Sequence, residues 1–143
     1  MTTKVEKSYR SCRRNRRGAA VVEFAVVSPV FFLLVFGMIE YGRMVMVQQM
    51  LTNAAREGAR VGVLDSSTAS EVTSKVNSYL TAARINNATV TCDPSNPSSA
   101  GYGEAVTVTV SIPFSQVSWL PSPMFLGGTT MTATSAMRRE TVQ

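Results

Sequence analysis

The sequence predicts a membrane-anchored α+β protein: a long N-terminal helix, transmembrane over its first half, a second amphipathic helix, and a small three-stranded antiparallel sheet. Three observations predict it. Residues 24–39 run for sixteen residues without a charge. Apolar and small residues then recur at helical spacing to about residue 64. Farther on, Val106, Val108, Val110 and Ile112 alternate with Thr107, Thr109 and Ser111, the period of a strand with one buried face.

The first element is a basic leader, residues 1–18. The 143-residue chain carries a net charge of +5, and its distribution is uneven. Lys4, Lys7, Arg10, Arg13, Arg14, Arg16 and Arg17 against Glu6 give residues 1–18 a charge of +6, whereas the remainder stands at −1. A basic cluster of this kind also occurs in nucleic-acid patches. Next to an apolar span it is better explained as an orientation signal, so no nucleic-acid partner is assigned.

The second element is a helix over residues 19–64, transmembrane over about 19–40. A bilayer-crossing helix needs about 20 mostly apolar residues. From Ala19 to Ile39 the only charge is Glu23. A buried core helix of that length would find nothing in so small a protein to bury it. The basic flank places the N-terminus in the cytoplasm and everything after about residue 42 outside it. A cleavable signal peptide would have a shorter apolar core followed by a small-x-small site; here Glu-Tyr-Gly-Arg-Met-Val-Met-Val continues the helix. Pro29 removes one backbone donor and predicts a kink.

The outer half of this helix is marked by small residues. Ala54, Gly58 and Gly62 form one row at i, i+4 and i+8, with Ala55 and Ala59 beside it. Such rows let another element approach closely: a helix or sheet of the same subunit, or a neighbouring subunit. Arg56 and Arg60 form a like-charge i, i+4 pair beside Glu57, a face that is solvated or meets an acidic partner.

Residues 65–143 form the third region, a small extracytoplasmic α+β module. Asp65-Ser66-Ser67 breaks the first helix, and Thr68-x-x-Glu71 reads as a capping box for the second. That helix runs to about Ala83 with Val72, Val76, Tyr79, Leu80 and Ala83 on one face. Three strands follow over Thr89–Cys92, Ala105–Phe114 and Thr129–Met137. A polar loop occupies residues 93–103, and an apolar one, Ser118 to Leu126, carries Trp119, Leu120, Met124, Phe125 and Leu126. Those side chains either cap the sheet core or meet a partner. A module this small buries only about 60% of its unfolded surface and leans on the long helix.

The chain has no histidine, which excludes Ser-His-Asp and Cys-His nucleophiles and His-ligated metals. It also has no Gly-rich phosphate loop and no ligand cluster. Cys92 reads as a small buried hydrophobe, and Cys12 falls on the other side of the membrane, so the two form no disulfide. The sequence therefore predicts no enzyme, no cofactor, no metal and no small-molecule substrate.

The most informative residues lie where leader meets span: Arg16-Arg17-Gly18-Ala19-Ala20-Val21-Val22-Glu23-Phe24. A carboxylate inside a bilayer segment costs a few kcal/mol and marks a functional site by default. One physical solution is a cut after Gly18, whose new α-amine on Ala19 would be neutralised by Glu23 of a neighbouring subunit as helices bundle. Basic leader, Gly, four residues, Glu and an apolar helix resemble a type IV prepilin site. Glu23-Phe24 together with Asn53-Ala54-Ala55-Arg56-Glu57-Gly58-Ala59-Arg60 resembles the TadE-like pseudopilins of tight-adherence (Flp-type) pilus systems, and Met131-Thr-Ala-Thr-Ser-Ala-Met137-Arg-Arg is similar to their carboxyl ends. The Flp major pilins carry Glu-Tyr instead and are much shorter, so the likeness is to an accessory subunit.

That resemblance implies a pilin-like layout and a processing site at Gly18, Ala19, Glu23 and Phe24. It implies a prepilin peptidase, other pilins or pseudopilins and the pilus assembly platform as partners, and a role in adhesion and biofilm formation. It also implies a single-pass protein of the cytoplasmic membrane, N-terminus inside, that enters or primes a pilus. The alternative is an uncleaved single-span adaptor that binds envelope or secretion-machinery proteins.

Overall fold

The structure, a computed structural model, describes residues 12–120 and 125–140, with the side chains of 12–17 outside that description. The expectations for residues 1–11, for the leader's arginine side chains, for the Cys12 thiol and for Met124 lie outside the described residues.

Helix α1 spans Cys12–Gly62 and runs through Pro29 without a break. It begins inside the basic segment instead of at Ala19 and stops two residues before Leu64. Arg is a good helix former, so the backbone has no reason to wait for the apolar run. At the other end Ser67 takes over the last turn: its hydroxyl donates to the Gly62 carbonyl at 2.7 Å, satisfying one of the acceptors a helix end leaves open.

Two compact units divide within α1, one up to Met38 and the other from Ile39 onward. The first is helical throughout its described part and keeps its apolar side chains on the surface, Val21, Phe24, Val26 and Val30 each being about two-thirds exposed. Among the described residues there is one helix long and apolar enough to cross a membrane, Gly18–Gly62, and none of its most apolar window is buried.

The second unit holds the core. Helix α2, Ala69–Ala82, starts on the capping box: the Glu71 amide donates to Thr68 Oγ1 at 3.3 Å, and the Thr68 amide donates to the Glu71 carboxylate at 2.9 Å. It ends with Arg84 in the left-handed region at φ +57°. Ile85 N–H donates to the Leu80 carbonyl and Arg84 N–H to Thr81, both at 2.9 Å. The Schellman pattern this makes brings Ile85 and Leu80 into the core together. Val72, Val76 and Leu80 are buried. Tyr79, expected with them, is 39% exposed, because residues 72, 76 and 80 already fill the narrow stripe facing inward.

Strands β1 (Thr89–Asp93), β2 (Ala105–Pro113) and β3 (Thr130–Arg138) form an antiparallel meander in the order β1-β2-β3. Val106, Val108, Val110 and Ile112 are fully buried and pair with Met137, Ser135, Ala133 and Met131. On the outward face Thr109 lies between Thr91 and Thr134, its hydroxyl 3.1 Å from that of Thr134, a cross-strand pair that suits a solvated surface. The core joins one side of the sheet to α2 and to Val47, Leu51, Ala54, Ala55 and Ala59 of α1. Cys92, expected to be buried, is only half-covered at the end of edge strand β1.

Candidate functional site

Gly18, Ala19, Glu23 and Phe24 all lie in regular helix and are all exposed. An added Cβ on Gly18 would meet nothing within 4 Å. Ala19 and Glu23 are spaced i, i+4, one turn apart on the same helix face. The neighbouring side chains are apolar, with Phe24 69% exposed. A lone carboxylate among exposed Val and Phe is soluble in neither water-free lipid nor a helix bundle unless a cation joins it.

The small-residue row is buried within the second unit. Ala54, Ala55 and Ala59 have no exposed surface. A Cβ on Gly58 would stand 2.6 Å from Val76 Cγ2 and 3.2 Å from Val108 Cγ1; one on Gly62 would stand 2.9 Å from Val106 Cγ1. Here α1 meets α2 and the sheet so closely that only hydrogen fits in place of a side chain. The row therefore offers no surface to a second subunit. Arg60 is paired within its own turn, donating to Glu57 at 2.7 and 3.0 Å.

Three charged residues to which the sequence alone assigns no site prove to be structural ties. Glu40 is 1% exposed. Its carboxylate accepts the Leu126 amide at 2.8 Å and the Phe125 amide at 3.3 Å. One turn on, Arg43 donates from Nε to the Val117 carbonyl at 2.8 Å, and its guanidinium carbon lies 4.9 Å from the centroid of the Trp119 ring, within cation–π range. Burial lowers the Arg43 pKa from its usual value. Glu40 and Arg43 thus clamp both ends of the apolar loop to α1, each charge answered by a polar partner as burial requires. Arg139 does the same elsewhere, donating to the carbonyls of Ser98 and Ala100 and to the Asp65 carboxylate at 3.0–3.1 Å. For Glu40 and Arg43 the signal in the sequence is two charges placed directly after an apolar run.

The clamped loop divides the apolar set that the sequence left open. Leu120 is half-covered, and Leu126 packs against the core that holds the buried Phe114 and Val117. Trp119 and Phe125 do not, at 64% and 63% exposed. Among the described residues no three of Cys, Asp and Glu gather as metal ligands.

Comparison with known proteins adds one finding. Residues 18–60 match the model of the family described as TadE-like protein. No curated protein and no solved structure matches the chain.

Proposed function

This chain is TadE-like over residues 18–60, and on that premise we propose that it is an accessory pseudopilin of a tight-adherence pilus, cut after Gly18 by a prepilin peptidase. The observation that carries the reading is the Gly18-to-Glu23 spacing at the boundary between basic leader and apolar helix. The family match beginning at Gly18 supports it.

The chemistry follows from that spacing. Before the cut, the basic leader holds the N-terminus in the cytoplasm while the apolar run crosses the membrane. The cut removes the leader and leaves an ammonium on Ala19. Glu23 of a neighbouring subunit then neutralises that charge as the exposed apolar helices bundle, so both ions leave lipid together. The role is structural: a single-pass subunit of the cytoplasmic membrane, with its sheet-bearing unit outside, joins other pilins or pseudopilins on the assembly platform.

The mature N-terminus tests this directly. Intact-mass measurement on protein from cells that make the peptidase is expected to give a chain starting at Ala19. Full-length protein would leave the uncleaved adaptor reading, and a cut after residue 39 would make the span a signal peptide. Glu23→Ala separates assembly from targeting. Removing a carboxylate eases insertion by up to a few kcal/mol, so the variant should reach the membrane and fail to assemble. A variant that complements a deletion normally rules out the charge-pairing role.

A further inference from the structure

We infer that the exposed rings of Trp119 and Phe125, tied to Arg43 and Glu40, make a second membrane contact, in the interfacial layer of the bilayer. The inference rests on the reading that residues 19–40 cross a membrane.

Position along the chain carries the argument. Glu40 directly follows the last residue of the uncharged run, and Arg43 lies three residues farther. At 1.5 Å per residue, Arg43 stands about 6 Å beyond Ile39 along the helix. Each headgroup layer is about 5–7 Å deep, half the difference between the full bilayer and its hydrocarbon core. Both clamp residues therefore fall inside that layer. Glu40 lies at the chain position next to the uncharged run, and the Phe125 and Leu126 amides meet its carboxylate.

Chemistry agrees with position. Trp119, Phe125 and Tyr41 are each more than 60% exposed. Trp and Tyr collect at membrane interfaces because an apolar ring and a polar group suit a layer that is half hydrocarbon and half water. Trp119 further stacks on the buried Arg43 guanidinium, which fixes the ring beside the first turn after the uncharged run. Left in water, Trp119 and Phe125 would expose two large apolar rings.

Trp119 is the sole tryptophan, so its emission reports this loop alone. The full chain is reconstituted into phosphatidylcholine vesicles brominated at either shallow or deep acyl positions, with flotation scoring membrane association. The expected result is co-flotation, a larger loss of Trp119 emission to shallow than to deep bromines, and weak quenching by aqueous acrylamide. The double change Trp119→Phe with Phe125→Trp moves the reporter and should give the same order. Co-flotation with strong acrylamide quenching and none from bromines would overturn the proposal while leaving the span intact. Quenching by neither would mean a second copy covers the loop, and stronger quenching by deep bromines would bury it in hydrocarbon; each overturns the interfacial placement. Failure to float would remove the membrane reading itself, and the proposal with it.

Discussion

At the scale of single residues, Glu57 shows how a charge pattern resolves once neighbours are fixed. Arg56 and Arg60 repel at i, i+4, yet Arg60 Nη2 sits 2.7 Å from Glu57 and Lys75 Nζ approaches the same oxygen at 3.4 Å. The Arg60 hydrogen bonds, more than any other influence, hold the Glu57 carboxyl down at about 2. An unfolded glutamate titrates near 4.3. A pKa depressed on folding gives stability that is full above the unfolded value and is lost as pH falls from there through about 2. Stability at neutral pH is therefore untouched, and salt weakens the pair because it faces solvent. Carboxyl-carbon NMR of the full chain in micelles should place the Glu57 midpoint near 2, and Arg60→Gln should move it upward. A midpoint at the ordinary glutamate value would mean the pair is not populated. Glu40, Arg43 and Arg139 were beyond sequence reasoning for a different reason. Their partners lie 85 and 86, 74, and 39 to 74 residues away along the chain. No local spacing encodes contacts of that range.

At the scale of elements, what could be read was what repeats locally. Strand β2 was legible from its alternation alone, and α2 from a capping box whose two hydrogen bonds involve neighbours three residues apart. Strand ends moved by a residue because pairing partners, not propensity, decide where a ladder stops. The end of α2 was blurred because Arg84 takes a left-handed conformation more typical of glycine. The small row on α1 announced a close approach without saying to what; Val76, Val106 and Val108 come from two other elements. This gives a paired test. Gly58→Ala pushes a methyl to 2.6 Å from Val76 Cγ2, and a branched side chain in a filled core has no free rotamer to yield. Overpacking costs about 1–3 kcal/mol, against about 0.5–1 kcal/mol gained in helix propensity. Gly42→Ala meets nothing within 4 Å and keeps only the gain. Denaturant unfolding of the full chain in detergent, followed by Trp119 emission, should show the two variants shifting in opposite directions. Two shifts of the same sign would mean the seam is looser than its geometry.

At the scale of the whole molecule, the proposed orientation across the membrane rests on charge, and the folded unit supplies the means to check it. Seven basic side chains precede the span. Moving each outward against the membrane potential costs about 2.3 kcal/mol per 100 mV, so the proposed topology keeps the leader inside and the unit from Ile39 onward outside. Cys92 is a poor reporter of that side, being half-covered with its thiol pKa raised by burial, which lowers the reactive thiolate fraction. Ser95 is exposed in the polar loop, so Ser95→Cys supplies a thiol that reagents reach. In a precursor blocked by Gly18→Leu, Cys12 remains attached as the cytoplasmic counterpart. A membrane-impermeant maleimide is added to intact cells, with any outer membrane opened. It should label the Ser95→Cys variant through the loop and leave Cys12 unmodified until the cells are lysed. Labelling of Cys12 together with protection of the loop thiol would invert the topology. Glu23 and the Ala19 amine would then lie at the wrong face for the peptidase, and the pilus reading would lose its basis.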